Sequence, residues 1–508
     1  MNAMQKTTLA LGLSLAFGSS AMAGTTGGFS TADGGNKSGA LARTATSLQG
    51  IIDAIAEAKS AAKPLVVTYT GNEDSLIATM VANHTKNSSG ACPVPRWDET
   101  YRKVEVSGFT YGLTILGANG SSANFGIVIK SGSSDVIVRN MKIGALAGAA
   151  NDADMIRIDG SSNVWIDHNE LFAVNNECTG SPDGDLTFES ALDIKGASHN
   201  ITVSYNYIHD SKKVGLDGSS NSDIQGGRKI TFHHNIYYNV NGRLPLQRGG
   251  WTHMYNNTYE KITLTGINVR QGGYSLIERN FFQNSIDPVV CFFDGGSNCG
   301  FWDLRNNNIT STADFATYGI TWSTPASGDK SASNWTSTAT FPLTLPYTYE
   351  PVTAQCAKDK LASYAGVGKN AAQLTASACG TTSSSSSAAA SSVASSVASS
   401  SSSSRSSSSV ASSAASSVAS SAASSAASSS AGGTPPTLAG TGDYPTGFSK
   451  CADLSGTCSI SSGTGWVAFG RGGKWVLKYV GVGNSVACTV AVFGSDPGGN
   501  PNKCSKQN

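Results

Sequence analysis

Between residues 138 and 310 the apolar and polar positions recur in one short pattern, apolar-x-x-Asn-x-apolar. It reads IDHNEL around Asn169, VSYNYI around Asn206, FHHNIY around Asn235, MYNNTY around Asn257, IERNFF around Asn280 and LRNNNI around Asn307. Successive Asn residues are 37, 29, 22, 23 and 27 apart, a period in the 20s with insertions. VRNMKI, Val138 to Ile143, is a related earlier turn without the aligned Asn. Each unit is rich in β-branched and aromatic residues alternating with period two, which predicts short strands rather than helices. Units this short cannot bury a face alone and must stack on their neighbours. Stacked turns predict a parallel β-helix in which the Asn side chains form a ladder. A β-propeller fits poorly, because its blades run to about 40 residues or more.

One helical pattern precedes the repeats. From Ser47 to Ala58, the residues Leu48, Ile51, Ile52 and Ile55 fall on one face and Ser47 can cap the first turn. This helix is expected to cover the open N-terminal end of the solenoid, which needs a cap. At the chain's start, Lys6 precedes the apolar run Leu9 to Phe17, followed by Ala21-Met22-Ala23. A charged flank, a short apolar run and a small-x-small site read as an export signal, residues 1–23, cut after Ala23. The run is too short to span a bilayer, so a secreted, extracellular protein with no membrane partner is expected.

Residues 381–439 are dominated by Ser and Ala, a composition that cannot bury a core and reads as a tether. It separates a large domain, 24–380, from a small one, 440–508. Of ten Cys, six precede the tether and four follow it, so each domain can close its own disulfides in an oxidising compartment. None forms a CxxC pair, which argues against structural zinc. Lys and Arg total 35 against 34 acids, so nothing suggests a nucleic-acid partner.

The candidate chemistry lies at one phase of the repeat. Asp154 stands 15 residues before Asn169 and Asp193 stands 13 before Asn206, with Asp152 and Glu189 a short step away. Stacked strands lie about 4.8 Å apart, so carboxylates on adjacent turns can share one ion. Four carboxylates in phase repel each other and call for a cation; Ca2+ is the expected cofactor. Asp183 and Asp185 extend the acidic surface. Arg243 lies 14 before Asn257, the same phase, and Lys213 and Arg243 lie 7 and 8 after their preceding Asn. With Lys195 and Arg248 they form a basic cluster beside the acidic one, suited to an anionic polymer. Trp165-Ile166-Asp167-His168, His233 and His234 sit at the Asn-bearing phase and read as a buried polar network.

These residues also match a family. DADMIRIDGSSNVWIDHNEL, FESALDIKGAS, SYNYIHDSKKVGLDGSS, NGRLPLQRGG and QCAKDKLASYAGVGKN closely resemble the bacterial pectate lyases of polysaccharide lyase family 1. The resemblance spans nearly all of residues 40–380. It implies a right-handed parallel β-helix and calcium-dependent β-elimination on polygalacturonate. By position it implies that Asp152, Asp154, Glu189 and Asp193 hold calcium, that Arg243 is the general base, and that Lys213, Arg248 and Lys195 bind substrate carboxylates. An Arg base implies an alkaline optimum, since guanidines are protonated at neutral pH. Cys291 and Cys299 look like an added local pair.

The whole is expected to be all-β: the β-helix plus a small disulfide-stapled, β-rich C-terminal domain. In the latter WVAF and KWVLKYV read as strands around a Gly-Arg-Gly-Gly turn. The small domain resembles modules on plant cell-wall enzymes, and its positive charge suits pectin. A monomer is expected. The competing readings are a calcium-independent pectin lyase, a β-helix hydrolase with two carboxylic acids flanking the bond, and a non-catalytic binding solenoid.

Overall fold

The computed structural model describes residues 25–93, 101–146, 152–178, 187–292, 298–380, 436, 438–493, 497 and 502–507. The export signal, nearly all of the Ser/Ala stretch, Asp183 and Asp185 lie outside these described residues. The chain divides into two compact units, Met1–Ser386 and Ser387–Asn508.

In the first unit, sheets of ten, nine and six strands build a parallel β-helix. Apart from Lys330–Ser331, which joins the nine-stranded sheet antiparallel, the strands pair in parallel register with their counterparts one turn on, so one phase of the repeat becomes one column of side chains. Ile166, Val203, Phe232, Met254 and Ile277 follow one another in this way and are all buried. Each contributes about 1.5–3 kcal/mol by leaving water.

The Asn residues form the expected ladder. Asn206 Oδ1 accepts from the backbone N–H and Nδ2 of Asn169, both at 2.9 Å, and Asn206 Nδ2 donates to Asn235 Oδ1 at 2.9 Å. The pattern continues through Asn257 and Asn280 to Asn307. The residue before each rung adopts left-handed backbone: His168, Tyr205, His234, Asn256, Arg279 and Asn306 have φ of 51 to 54°. That conformation costs a non-Gly residue roughly 1–2 kcal/mol, which the rung's bonds offset. In VRNMKI, Asn140 takes this left-handed position (φ 56°) and Met141 N–H donates to Asn169 Oδ1 at 2.9 Å. The Asn therefore falls one residue short of the ladder.

Helix α1 spans Leu48–Ser60, and Ser47 Oγ accepts from Gly50 N–H at 3.2 Å. Its buried face is Ile51, Ala54, Ile55 and Ala58; Leu48 and Ile52 are only partly buried. The expected face is thus rotated, because small Ala side chains let α1 lie close against the strands Leu41–Ala45, Leu65–Tyr69 and Lys103–Ser107. Among the described residues, no helix is long and apolar enough to cross a membrane.

The second unit has a four-stranded antiparallel sheet, in spatial order Phe448–Asp453, Lys503–Gln507, Trp466–Arg471 and Lys474–Tyr479. A two-stranded sheet, Thr457–Ser459 with Ser485–Ala487, closes its core. The disulfides are Cys92–Cys178, Cys291–Cys299 and Cys356–Cys379 in the first unit, and Cys451–Cys458 and Cys488–Cys504 in the second. Each group of Cys closes within its own unit, and Cys291 with Cys299 is the local pair.

Candidate active site

The nine-stranded sheet carries the charged residues. In its strands Ile156–Asp159 and Leu192–Lys195, Ile158 pairs Ile194 inward, which turns Arg157 and Asp193, also partners, outward. Lys195 follows Asp193 by two and shares its face. Asp152, Glu189, Asp193, Lys195, Lys213 and Arg243 together line one groove of about 810 Å³. The parallel bridge between Lys213 and Gly242 sets Lys213 beside Arg243.

Asp154 lies buried beneath that groove. Burial, and then the neighbouring Asp193 charge, push its carboxyl up to about 7, against the pull of Lys195 and Arg157. The chain's own cations hold the cluster together. Lys195 Nζ lies 2.9 Å from Asp193, 3.3 Å from Asp154 and 3.4 Å from Asp152. Arg157 contacts Asp154 at 2.7 Å and Asp152 at 2.6 Å. Burial disfavours the charge on Lys195, yet Asp193 and Asp154 raise its pKa above the usual lysine value. Lys213 is ion-paired with Glu189.

Arg243 differs from these cations. Its backbone is left-handed (φ 67°) and pinned where Gly215 N–H donates to its carbonyl at 2.9 Å. Among the described residues, no hydrogen bond or ion pair engages its guanidinium. Arg248 does not line the groove with the others. Its Nη1 donates to Gly218 O at 2.7 Å and its Nε to Asn221 Oδ1 at 3.0 Å, which ties it to the loop after the Leu216–Asp217 strand.

Sequence reading did not single out Arg157. Its signal was the alternation of IRID, which puts it on the face of Asp193. Asp217 lies outside the cluster, pairs Ile194 and Gln247 and is buried. Burial pushes it up to about 8. The WIDH segment forms the expected buried network: Asp167 meets Arg139 at 2.7 Å, His168 at 2.8 Å and Ser204 Oγ at 2.6 Å.

The donors of the acidic cluster are all carboxylate oxygens on adjacent turns, the chemistry that a hard divalent cation prefers. They fit calcium in type. Among the described residues, no three acidic, His or Cys side chains yet close around one point, because Lys195 and Arg157 stand between them.

A parallel β-helix with carboxylates and cations side by side along one groove defines a carbohydrate-active solenoid for acidic polymers. Residues 2–370 match the family model described as pectate lyase. Pectate lyase C of Dickeya chrysanthemi is 57% identical over 383 residues, 73% of this chain and 98% of its own. The structure of pectate lyase C from Erwinia chrysanthemi with Ca2+ has a TM-score of 0.65 at 57% identity, over 70% of this chain and 99% of that one. A point mutant of pectate lyase C in complex with pentagalacturonic acid matches at 56% identity with a TM-score of 0.65, over 70% of this chain and 99% of that one. This chain belongs to the pectate lyase family and is a polysaccharide lyase.

Proposed function

We propose that the chain is a secreted, calcium-dependent pectate lyase that cleaves α-1,4-polygalacturonate by β-elimination, with Arg243 as general base. What carries this reading is Arg243, whose side chain no hydrogen bond or ion pair engages among the described residues, in a groove where the other cations, Lys195, Lys213 and Arg157, are engaged by carboxylates. In its neutral form, which alkaline pH supplies, the Arg243 guanidine takes the C5 proton α to the uronate carboxylate and becomes guanidinium. The C5–H electron pair forms the C4–C5 double bond, and the C4 oxygen leaves with the departing chain and takes a proton. Lys213 and Lys195 hold substrate carboxylates and fix C5 over the base. Arg248, held by the 218–221 loop, aligns the chain further along. Asp152, Asp154, Glu189 and Asp193 would hold calcium, with Asp183 and Asp185 as additional ligands. Bound there, the ion withdraws charge from the uronate carboxylate and so acidifies the C5 proton.

In this reading residues 1–23 are removed on export, 24–380 form the lyase domain, 381–439 tether it, and 440–508 bind plant cell-wall polysaccharide. The family membership and the export signal support secretion; the disulfides agree with it. The test is ultraviolet absorbance of polygalacturonate with the purified chain, first with calcium and then with a chelator. Absorbance that rises only with calcium is expected, from the unsaturated product. New reducing ends without absorbance would make it a hydrolase. Turnover of methylated pectin indifferent to chelator would make it a pectin lyase.

A further inference from the structure

The C-terminal unit has a surface that the lyase chemistry does not use. One face of its four-stranded sheet packs on the core through Val467, Phe469 and Cys504. Alternation and register put Trp466 and Ala468 on the other face, beside Leu477, Trp475 and Ser505. Trp466, Trp475 and Leu477 are half-buried, and the residues between them are small. Trp475 Nε1 already donates to Asp443 O at 3.4 Å, which satisfies the indole's polar edge.

Around this face three cations meet two carboxylates, which leaves a single surplus positive charge. Asp443 pairs with Arg471 at 2.6 Å and with Lys503 at 2.8 Å, and Asp453 pairs with Lys450 at 2.7 Å. The larger part of the unit's excess positive charge sits elsewhere: Lys478 and Lys506 register with Val467, on the core-facing side. A uronate polymer laid on the aromatic face would bring one carboxylate per sugar against apolar rings, with a single surplus positive charge to answer them, a desolvation poorly compensated. A neutral β-1,4-linked chain has its substituents equatorial and presents flat C–H faces instead.

We propose that this aromatic face binds a neutral, unbranched β-linked glycan of the cell wall, holding the lyase on the wall scaffold rather than on its substrate. The inference rests on the C-terminal unit being a polysaccharide-binding module and changes the ligand that net charge alone suggests. Tethered there, the lyase works at a raised local concentration of pectin.

The test uses the full chain, with calcium chelated, mixed with microcrystalline cellulose, and measures the unbound fraction at low and high salt. Retention that is insensitive to salt is expected. Trp475→Ala or Trp466→Ala should weaken it about tenfold or more. Trp475→Phe, which keeps a ring, should retain most of it, and Lys478→Ala all of it. Turnover of soluble polygalacturonate should not change in any variant. If Trp475→Ala does not fold, Trp466→Ala and Trp475→Phe decide. Retention on a pectate gel instead of cellulose, lost at high salt and in Lys478→Ala, would overturn the ligand class and leave the binding module standing. Retention on neither material would overturn both, and intact tryptophan-independent binding to cellulose would overturn the face.

Discussion

The Asn ladder and the charged groove are built from the same coils, yet they close their polar chemistry in opposite ways. In the ladder one residue type repeats, and each rung is both donor and acceptor for the next. Asn206, Asn235 and Asn257 are fully buried and satisfied along the axis. In the groove the residue type changes from turn to turn. Asp154 and Asp193 lie on adjacent turns, and Lys213 and Arg243 lie on the next pair of turns further along. Neither like-charged pair can satisfy itself. Asp154 is accordingly pushed up to about 7, its partners are cations borrowed from neighbouring positions, and Arg243 keeps its guanidinium open to the groove. A repeated polar residue spends its bonding on the fold. A broken repeat leaves bonding capacity for a ligand.

Arg243→Ala should give the largest effect that separates the two regions. Loss of a general base costs about 10²–10⁴-fold in rate, while the thermal midpoint should stay within a degree or two, because the guanidinium bonds nothing among the described residues. A variant that keeps a tenth or more of the rate on polygalacturonate would remove the base assignment. Asn235→Ala should do the reverse. It strands the Asn206 N–H and Nδ2, and the Val203 carbonyl loses its Nδ2 donor. Buried unsatisfied groups cost about 1–3 kcal/mol each, so a loss of about 2–4 kcal/mol in denaturant unfolding is expected, with the rate per folded molecule unchanged. A ladder variant of full stability and impaired turnover would dissolve the distinction between the two regions.

Much of this division was legible in the sequence. The Asn spacing fixed the ladder, because a stacking residue must recur at every turn. The acidic and basic clusters followed from counting back to those Asn residues, and the structure brings Asp152, Glu189, Asp193, Lys195, Lys213 and Arg243 to one groove. What counting could not give was side-chain direction. Arg248 shares the segment of Arg243, but the 218–221 loop, whose path no periodicity encodes, draws it away. Arg157 was hidden because a lone Arg in a strand carries no motif; only its register with Asp193 gives it a role. Leu48 and Ile52 looked like core by helical spacing, but Ala54 and Ala58 set the contact face, since close packing selected small residues over large ones.

The smallest effect expected is in the pH dependence of stability, and it belongs to the ladder side. Beside the rungs, Tyr205 stacks between His168 and His234 at 4.8 and 4.7 Å, and His233 stacks on Tyr255 at 4.7 Å. Burial pushes His233 down to about 4, although the Thr26 carbonyl and Asp167 favour its charge. Burial and then the neighbouring His233 and His168 push His234 well below the usual imidazole range. An unfolded chain takes up these protons near pH 6.5, and the folded chain refuses them. Stability from these histidines is therefore complete above about pH 6.5 and is lost as pH falls towards about 4. Asp217 has the opposite sign. Burial holds it protonated up to about 8, so its contribution declines as pH rises from the carboxylate range through 8. The two trends partly cancel, which keeps the net slope shallow. His234→Phe keeps a ring in the stack and removes a titrating group. It should flatten the fall in melting temperature between pH 6.5 and 4, while Asp217→Asn should flatten the decline between about pH 6.5 and 8. If both slopes survive both substitutions, the titration lies in the groove instead, and the ladder side is not the pH-sensitive part of the fold. If they flatten as expected, the histidines stabilise fully in the alkaline range where a guanidine base would work, and the cost of ionising buried Asp217 is complete once the pH has passed about 8.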